Sequence, residues 1–474
     1  MLAAILLLAC WGPRACAQVL PAQAILYEGY NDAAGQLVEQ LGALNPDGTG
    51  DHAVAVNLPE TGYPTWSRDG RLLALSSVNP ATPFSISRNV FVVDLQTAQI
   101  TQVTSFADTV NGGGGGGGSA VVSACVLPWF KAFSPDRTRL AVAGVVFTGI
   151  NVSATNNNPN APYDLYSGFQ GTPALQVYNL DGTPGPLVHA DSSGSDTIHG
   201  GDGVDWSPTQ NLLVYPADTT VPVNNYGQIL QIPVTALVLM APVNDAIGSG
   251  QASQLTFPQA SANQTWSGPV TTYETDYQPA FSPDGKQVAY LRAENVMAGT
   301  SPELPTITLR LVNVDGSNDH QIGAFQQGTY CSHVSWSPDG AKLVFDAGQE
   351  VVSGGIPMPF ANPTTTSLLI ANADGSAVTP LRQPAAAWPA WYPGPGGGNG
   401  PPRLDLALVP HAGGPQLIPS WPAGNGNFAL QSSAALGPQA AWKPEPAQPS
   451  IAGGRASLTL NASGAARFYR LVQQ

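Results

Sequence analysis

The sequence predicts an all-β chain: a six-bladed β-propeller whose last blade is completed by N-terminal strands, followed by a small C-terminal β-sandwich. Three observations predict it. An aromatic residue, a Ser-Pro-Asp-Gly turn and a short apolar run recur as one phrase along the chain. A β-rich run ending in a polar, often Asp-Gly, turn follows each well-kept copy. Punctuation is dense, with 52 Gly and 44 Pro in 474 residues, which favours short strands and turns over long helices.

The first phrase is clearest in "FSPDGKQVAY" from Phe281. Pro283 presets φ at the second turn position, Asp284 bonds back to the backbone, and Gly285 accepts the positive φ that closes the turn. That predicts a hairpin between the strand ending at Phe281 and the strand that follows. Other copies begin at Pro64 ("PTWSRDGRLLAL"), Lys131 ("KAFSPDRTRLAV"), Val204 ("VDWSPTQNLLVY"), Val334 ("VSWSPDGAKLVF") and, worn, Pro389 ("PAWYPG"). Arg137 and Gln210 stand where Gly285 does, so those turns need another geometry or carry strain. The apolar alternation outlasts the turn chemistry, which points to packing as what the repeat protects.

The second phrase includes "LQVYNLDGTPG" from Leu175, "LRLVNVDGSND" from Leu309, "LLIANADGSAV" from Leu368 and "LGALNPDGTG" from Leu41. Together the two phrases describe a four-stranded antiparallel sheet. The key aromatics Trp66, Phe133, Trp206, Phe281, Trp336 and Trp391 lie about 55 to 75 residues apart, longer than the roughly 40 to 50 of common propeller repeats. Gly/Asn/Pro-rich loops supply the excess. Tandem sheets that cannot bury both faces alone close into a ring, with each aromatic filling the wedge between blades. The sixth aromatic strand runs into "PGPGGGNGPP", so three strands from the N-terminus must complete that blade. Residues 387–392 should therefore pair with residues 24–29, which removes an exposed edge.

The phrase "SPDG" with its flanking aromatic and apolar run, followed by "V-N-x-D-G", resembles the TolB-type, or PD40, WD40-like propeller repeat. The six copies span residues from about Ile25 to Tyr392, and the resemblance implies a six-bladed propeller over residues 18–392. Proteins with this repeat include the periplasmic TolB component of envelope complexes, propellers fused to peptidases, and propeller polysaccharide lyases. After a Gly/Pro linker at 393–402, residues 403–474 read as short strands without the repeat. They resemble a C-terminal β-module of exported bacterial proteins, with Trp421, Phe428, Trp442 and Phe468 expected in its core.

The start, "MLAAILLLACWGPRACAQV", is apolar but too short to span a bilayer, and Ala15-Cys16-Ala17 resembles a cleavage site. Residues 1–17 are read as a signal peptide, which places the protein in the periplasm or outside the cell. No later segment reads as a transmembrane span. A net charge of -14 with no basic run excludes a nucleic-acid partner. Cys125 and Cys331 precede inner strands of blades two and five, opposite each other in a six-membered ring, and are expected as free thiols.

No G-x-S-x-G elbow, H-E-x-x-H or P-loop is present. What remains is position: the entries to the inner strands surround one mouth of the central channel. Lys131 from blade two, His199, Asp202 and Asp205 from blade three, Asp276 and Gln278 from blade four, and His333 from blade five are the candidate ligand-binding residues. No cofactor is required, although these carboxylates and histidines would suit a divalent cation. Polar residues at such junctions more often cap turns, and Asp205 has a plainer use in bonding a neighbouring blade's backbone. The leading functional expectation is an exported non-catalytic scaffold that binds an envelope or extracellular protein, or a glycan, through its loop-bearing face. The alternative is a polysaccharide lyase or glycoside-acting enzyme using the His/Asp cluster.

Overall fold

The computed structural model describes residues 23–473 apart from 32–36, 79–86, 112–120, 154–169, 191–202, 242–251, 266–267, 299–303, 354–355, 362–364, 395–403, 410–413, 415, 423–427, 435–440, 453–454 and 462–466. The expected leader and most of the expected linker lie outside the described residues. All regular structure within them is β-strand.

Blade one sets the pattern. Its strands Gly62–Trp66, Leu72–Val78, Arg88–Asp94 and Gln99–Gln102 pair in chain order, all antiparallel. Blades two to five follow the same order around inner strands that end at Phe133, Trp206, Phe281 and Trp336. Blade six is composite. Its inner strand Ala386–Trp391 pairs with Ile25–Asn31, with Ile25 opposite Trp391 and Gly29 opposite Ala386. The strands Leu37–Leu44 and His52–Ala53 complete it. The ring closes as the strand count requires.

The buried core explains why the aromatics recur. Among the described residues it divides chiefly into six clusters, each shared by adjacent blades and each containing one key aromatic. Phe281 packs with Val214 and Leu237 of blade three and Val288 of its own blade. Trp206 packs with Ala132 and Val177 of blade two, and Trp391 with Val344 and Ile370 of blade five. Phe133, Trp336 and Trp66 occupy the remaining wedges. Burying such a ring contributes roughly 1.5 to 3 kcal/mol each. Two indoles also donate across the wedge, Trp336 Nε1 to the Ala280 carbonyl at 3.0 Å and Trp66 Nε1 to that of Ala390 at 3.4 Å.

Both repeated turns are fixed by hydrogen bonds that the sequence encodes. In the first, Asp284 Oδ1 accepts from Ser282 Oγ and the Lys286 amide, and Gly285 sits at φ 71°. Arg137 adopts φ 61° at the equivalent place in blade two, the strained geometry its missing glycine implies. In the second, Asn-x-Asp-Gly-Thr/Ser makes the same set four times, at Asp47, Asp181, Asp315 and Asp374. Each aspartate accepts the following Thr or Ser hydroxyl at 2.6 Å. Each asparagine amide donates to that same hydroxyl. These bonds hold the four exposed carboxyls below the usual carboxylate range.

In the C-terminal region two antiparallel sheets share a core of Trp421, Leu430, Ala456, Leu458 and Leu471. Phe428 packs against it, but two expected core residues do not belong. Phe468 is 36% exposed, and Trp442 is half-buried with the Arg470 guanidinium over its ring. The period-two alternation of Phe468–Gln473 gives the reason: Leu471 and Tyr469 face the core, which turns Phe468 and Arg470 outward.

Candidate functional site

The channel is shaped by one backbone irregularity that recurs. In blades one, four and six the inner strand bulges three residues before its key aromatic, at Tyr63, Gln278 and Trp388. These residues take φ of 54°, 53° and 54°, and each is followed by proline. A bulge re-aims the side chain at the extra residue. The equivalent residues of blades two, three and five are Phe130, Gly203 and His333. Their rings gather at one level of the channel. Tyr63 meets Trp388 edge-on at 4.7 Å, Phe130 lies 5.2 Å from Trp388, and His333 stacks over Phe130 at 6.5 Å. Gln278 Oε1 lies 3.2 Å from His333 Nδ1. An aromatic plug therefore occupies the level where a cluster of polar side chains was expected.

The sequence-derived candidates separate into different roles. Lys131 lies buried beside the plug, and its Nζ donates to Ser76 Oγ at 2.8 Å and to the Trp129 carbonyl at 3.1 Å. Burial pulls this ammonium down to about 7, against the favourable charge of Glu28. His333 is driven to about 4 by burial and by Lys131, so it is neutral at pH 7. Asp205 spans a wedge: its Oδ2 accepts from the Phe281 amide of blade four at 2.6 Å, and its Oδ1 from the Trp206 amide at 2.8 Å. That is the inter-blade role foreseen for it, and burial raises its carboxyl to about 7.

Asp276 departs from the expected mouth. It is fully buried within blade four and holds Arg292 bidentately, at 2.6 and 2.9 Å. Burial opposes the charge of that guanidinium, but Asp276 and Glu274 raise Arg292 above its ordinary value. The reason for the displacement is register, since Asp276 lies directly opposite Arg292 on the next strand. His199 and Asp202 lie outside the described residues. Among the described residues no three of His, Cys, Asp or Glu are grouped as metal ligands. Cys331 is a buried free thiol, raised well above its ordinary value by burial. The side chain of Cys125 is not among those described.

Sequence reasoning missed a second set of buried groups. Three residues past the partner of the key aromatic, the second strand carries Glu28 in blade six, Ser76 in blade one and Asp346 in blade five. Each bonds the backbone of the next inner strand. Glu28 Oε2 accepts from the Tyr63 amide at 3.0 Å, and Ser76 Oγ donates to the Pro128 carbonyl at 2.5 Å. Asp346 accepts from the amides of Ser332, His333 and Trp388, at 2.6, 3.0 and 2.9 Å. Burial lifts its carboxyl to about 6. The only sequence signal was a polar residue interrupting an apolar second strand, as in "LVFDAG".

Below the plug lies a cavity of about 200 Å³. Its far end is ringed by the second residues of the Ser-Pro-Asp-Gly turns: Pro135, Pro208, Pro283, Pro338 and Pro393, with Arg68 in blade one. The opposite face of the propeller is far less regular. Strands of blades two to five lengthen at the ends away from these turns, as in the pair Leu213–Asn225 and Gln228–Met240. Each of that pair has 13 residues, against 7 for each of the second and third strands of blade one. At the hairpin tip Tyr226 is 84% exposed and Ile229 61%. The neighbouring hairpin formed by Ala260–Thr265 and Gly268–Phe281 packs against it.

No family model matches the chain, and no curated protein matches it in sequence. Solved structures do match. TolB from Acinetobacter baumannii is 15% identical, with a TM-score of 0.44 over 78% of this chain and 66% of that one. A putative TolB from Agrobacterium tumefaciens is 15% identical, with a TM-score of 0.38 over 79% and 93%. An oligogalacturonate lyase in complex with manganese is 12% identical, with a TM-score of 0.31 over 76% and 85%. Likenesses of this size bear on neither activity nor partner, and the propeller rests on its own strand order and register. No helix among the described residues is long and apolar enough to cross a membrane.

Proposed function

We propose that this chain is an exported, non-catalytic scaffold that engages an envelope or extracellular protein, or a glycan, through the loop-bearing face of its propeller. One observation carries the reading. On that face the strands run on past the blades, and the hairpin of residues 213–240 ends in exposed Tyr226 and Ile229. Large apolar side chains held out on a paired hairpin offer rigid contact area at low entropic cost.

The fate of the described polar candidates supports the same reading over a lyase or glycoside-acting enzyme. Catalysis by general acid and base needs groups convergent on one reacting point. Asp276 is consumed by Arg292, Asp205 by two amides, and Lys131 by oxygen acceptors. His333 sits among aromatic rings. No cofactor forms part of this reading, and residues 1–17 act in it as the export signal.

A photo-crosslinking residue at position 226 tests it in cells producing the full chain, alongside a glycan array probed with the purified protein. A discrete envelope protein crosslinked from position 226 and lost on Ile229→Asp, or a defined glycan class lost when residues 219–234 are replaced by an Asn-Gly turn, is the expected result. Absence of both, a crosslink indifferent to Ile229→Asp, or a glycan signal indifferent to the turn replacement overturns it.

A further inference from the structure

The six turns that ring the far end of the channel differ at one position. Five place proline there, and blade one places Arg68. The Arg68 guanidinium reaches across the channel, and Nη2 donates to the carbonyl of Pro283 in blade four, the blade diametrically opposite. Its Nε is buried with no hydrogen-bond acceptor among the described residues. The side chain as a whole is half-buried, and a planar guanidinium pairs with a carboxylate through two parallel bonds. Here the nearest anionic groups are committed elsewhere. Both Asp205 oxygens accept backbone amides, while Asp284 is tied to Ser282 and Lys286. Burial draws Arg68 down to about 10, against the favourable charges of Asp205 and Asp284. Lys131, the other cation lining the cavity, is satisfied by oxygen acceptors.

Around this guanidinium most of the lining is apolar, with Ser67, Lys131, Asp205 and His333 among the polar residues. Trp66, Trp206, Trp336 and Trp391 contribute to the wall together with the proline ring. The cavity of about 200 Å³ is smaller than the roughly 300 to 1,000 Å³ of sites for drug-sized ligands. We infer that the channel is a binding site for a small monocarboxylate, with Arg68 holding the carboxylate and the aromatic and proline wall enclosing an apolar body. A multiply charged phosphate fits less well, because one guanidinium and a largely apolar wall cannot replace its hydration. This site lies at the opposite end of the channel from the loop-bearing face and does not depend on what binds there.

Isothermal titration of the full chain with benzoate tests the inference, with benzamide as the neutral isostere and inorganic phosphate as the non-carboxylate anion. Arg68→Pro restores the residue used by the other five turns, and Arg68→Gln removes the charge at similar length if the proline alters folding. The expected result is one-site binding of benzoate, at least tenfold weaker for benzamide and for phosphate. Either substitution should weaken benzoate at least tenfold while leaving the circular dichroism spectrum unchanged. Absence of benzoate binding, equal binding of benzamide or phosphate, or binding retained in a folded Arg68 variant overturns it.

Discussion

The two faces of the propeller are made from the same six sheets under different constraints. At the turn face, aspartate, serine and glycine repeat one hydrogen-bonded geometry from blade to blade, and a residue there touches its own turn and the neighbouring blade. At the loop face, strands end where each blade happens to end, from the short strands of blade one to the two 13-residue strands of the blade-three hairpin. The contrast teaches where this chain can vary. Repetition persists where a change would break a wedge, and length accumulates where added residues meet only solvent or another hairpin.

Five substitutions test that contrast, beginning with the largest effect. Gly375, in a turn of blade five, has φ 81°, and a Cβ there would lie 1.8 Å from the Ile322 carbonyl oxygen of blade four. Gly375→Ala should therefore cost roughly 3 to 5 kcal/mol, combining left-handed strain with a backbone clash. Urea unfolding reads the loss, and a cost below about 1 kcal/mol would show that the turn face yields more easily than its packing implies. Asp346→Ala should come next, at about 3 kcal/mol, because three amides lose their acceptor at once.

Third is a pH effect at the wedge between blades three and four. The carboxyl of Asp205 titrates near its ordinary 3.8 when unfolded and at about 7 when folded. Between these values the folded state holds the extra proton, so the stability due to this group is greatest at low pH and is lost as pH rises through 7. The advantage of the wild type over Asp205→Asn in urea should shrink from pH 4 to pH 7. His333 shifts in the opposite sense but is present in both proteins and cancels in the difference. A constant difference would mean that the two amides keep the carboxylate ionised. The smallest effect belongs to the loop face, where Tyr226→Ala and Ile229→Ala should each stay within about 0.5 kcal/mol of wild type.

Much of the architecture was legible because it rests on short-range chemistry and counting. The turn aspartates, the wedge aromatics and the pairing of Ile25 with Trp391 follow from residue type, spacing and one unmet strand requirement. The pull of Asp205 towards a neighbouring backbone was legible as well. The channel interior was not. Whether His333 or Gln278 faces water or a ring depends on how bulges in several separate strands converge, and periodicity within one strand carries no such information. Tyr63-Pro64, Gln278-Pro279 and Trp388-Pro389 held the hint, a shared dipeptide position before the aromatic. Arg68 was visible as a break in "SPDG", but its partner lies on the opposite blade. In the C-terminal region, counting aromatics overestimated the core, because alternation along the last strand leaves Phe468 outside.

The seam in blade six has a consequence during synthesis. Ile25–Asn31 leaves the ribosome early, yet its inner neighbour Ala386–Trp391 is made only after five other blades. Until then the nascent chain carries an unsatisfied strand edge with apolar Ile25 and Leu26 beside it, which is the kind of surface that recruits chaperones or drives aggregation. Because residue 391 must emerge before the ring can lock, a chain interrupted in translation anywhere upstream should be a ready substrate for proteolysis.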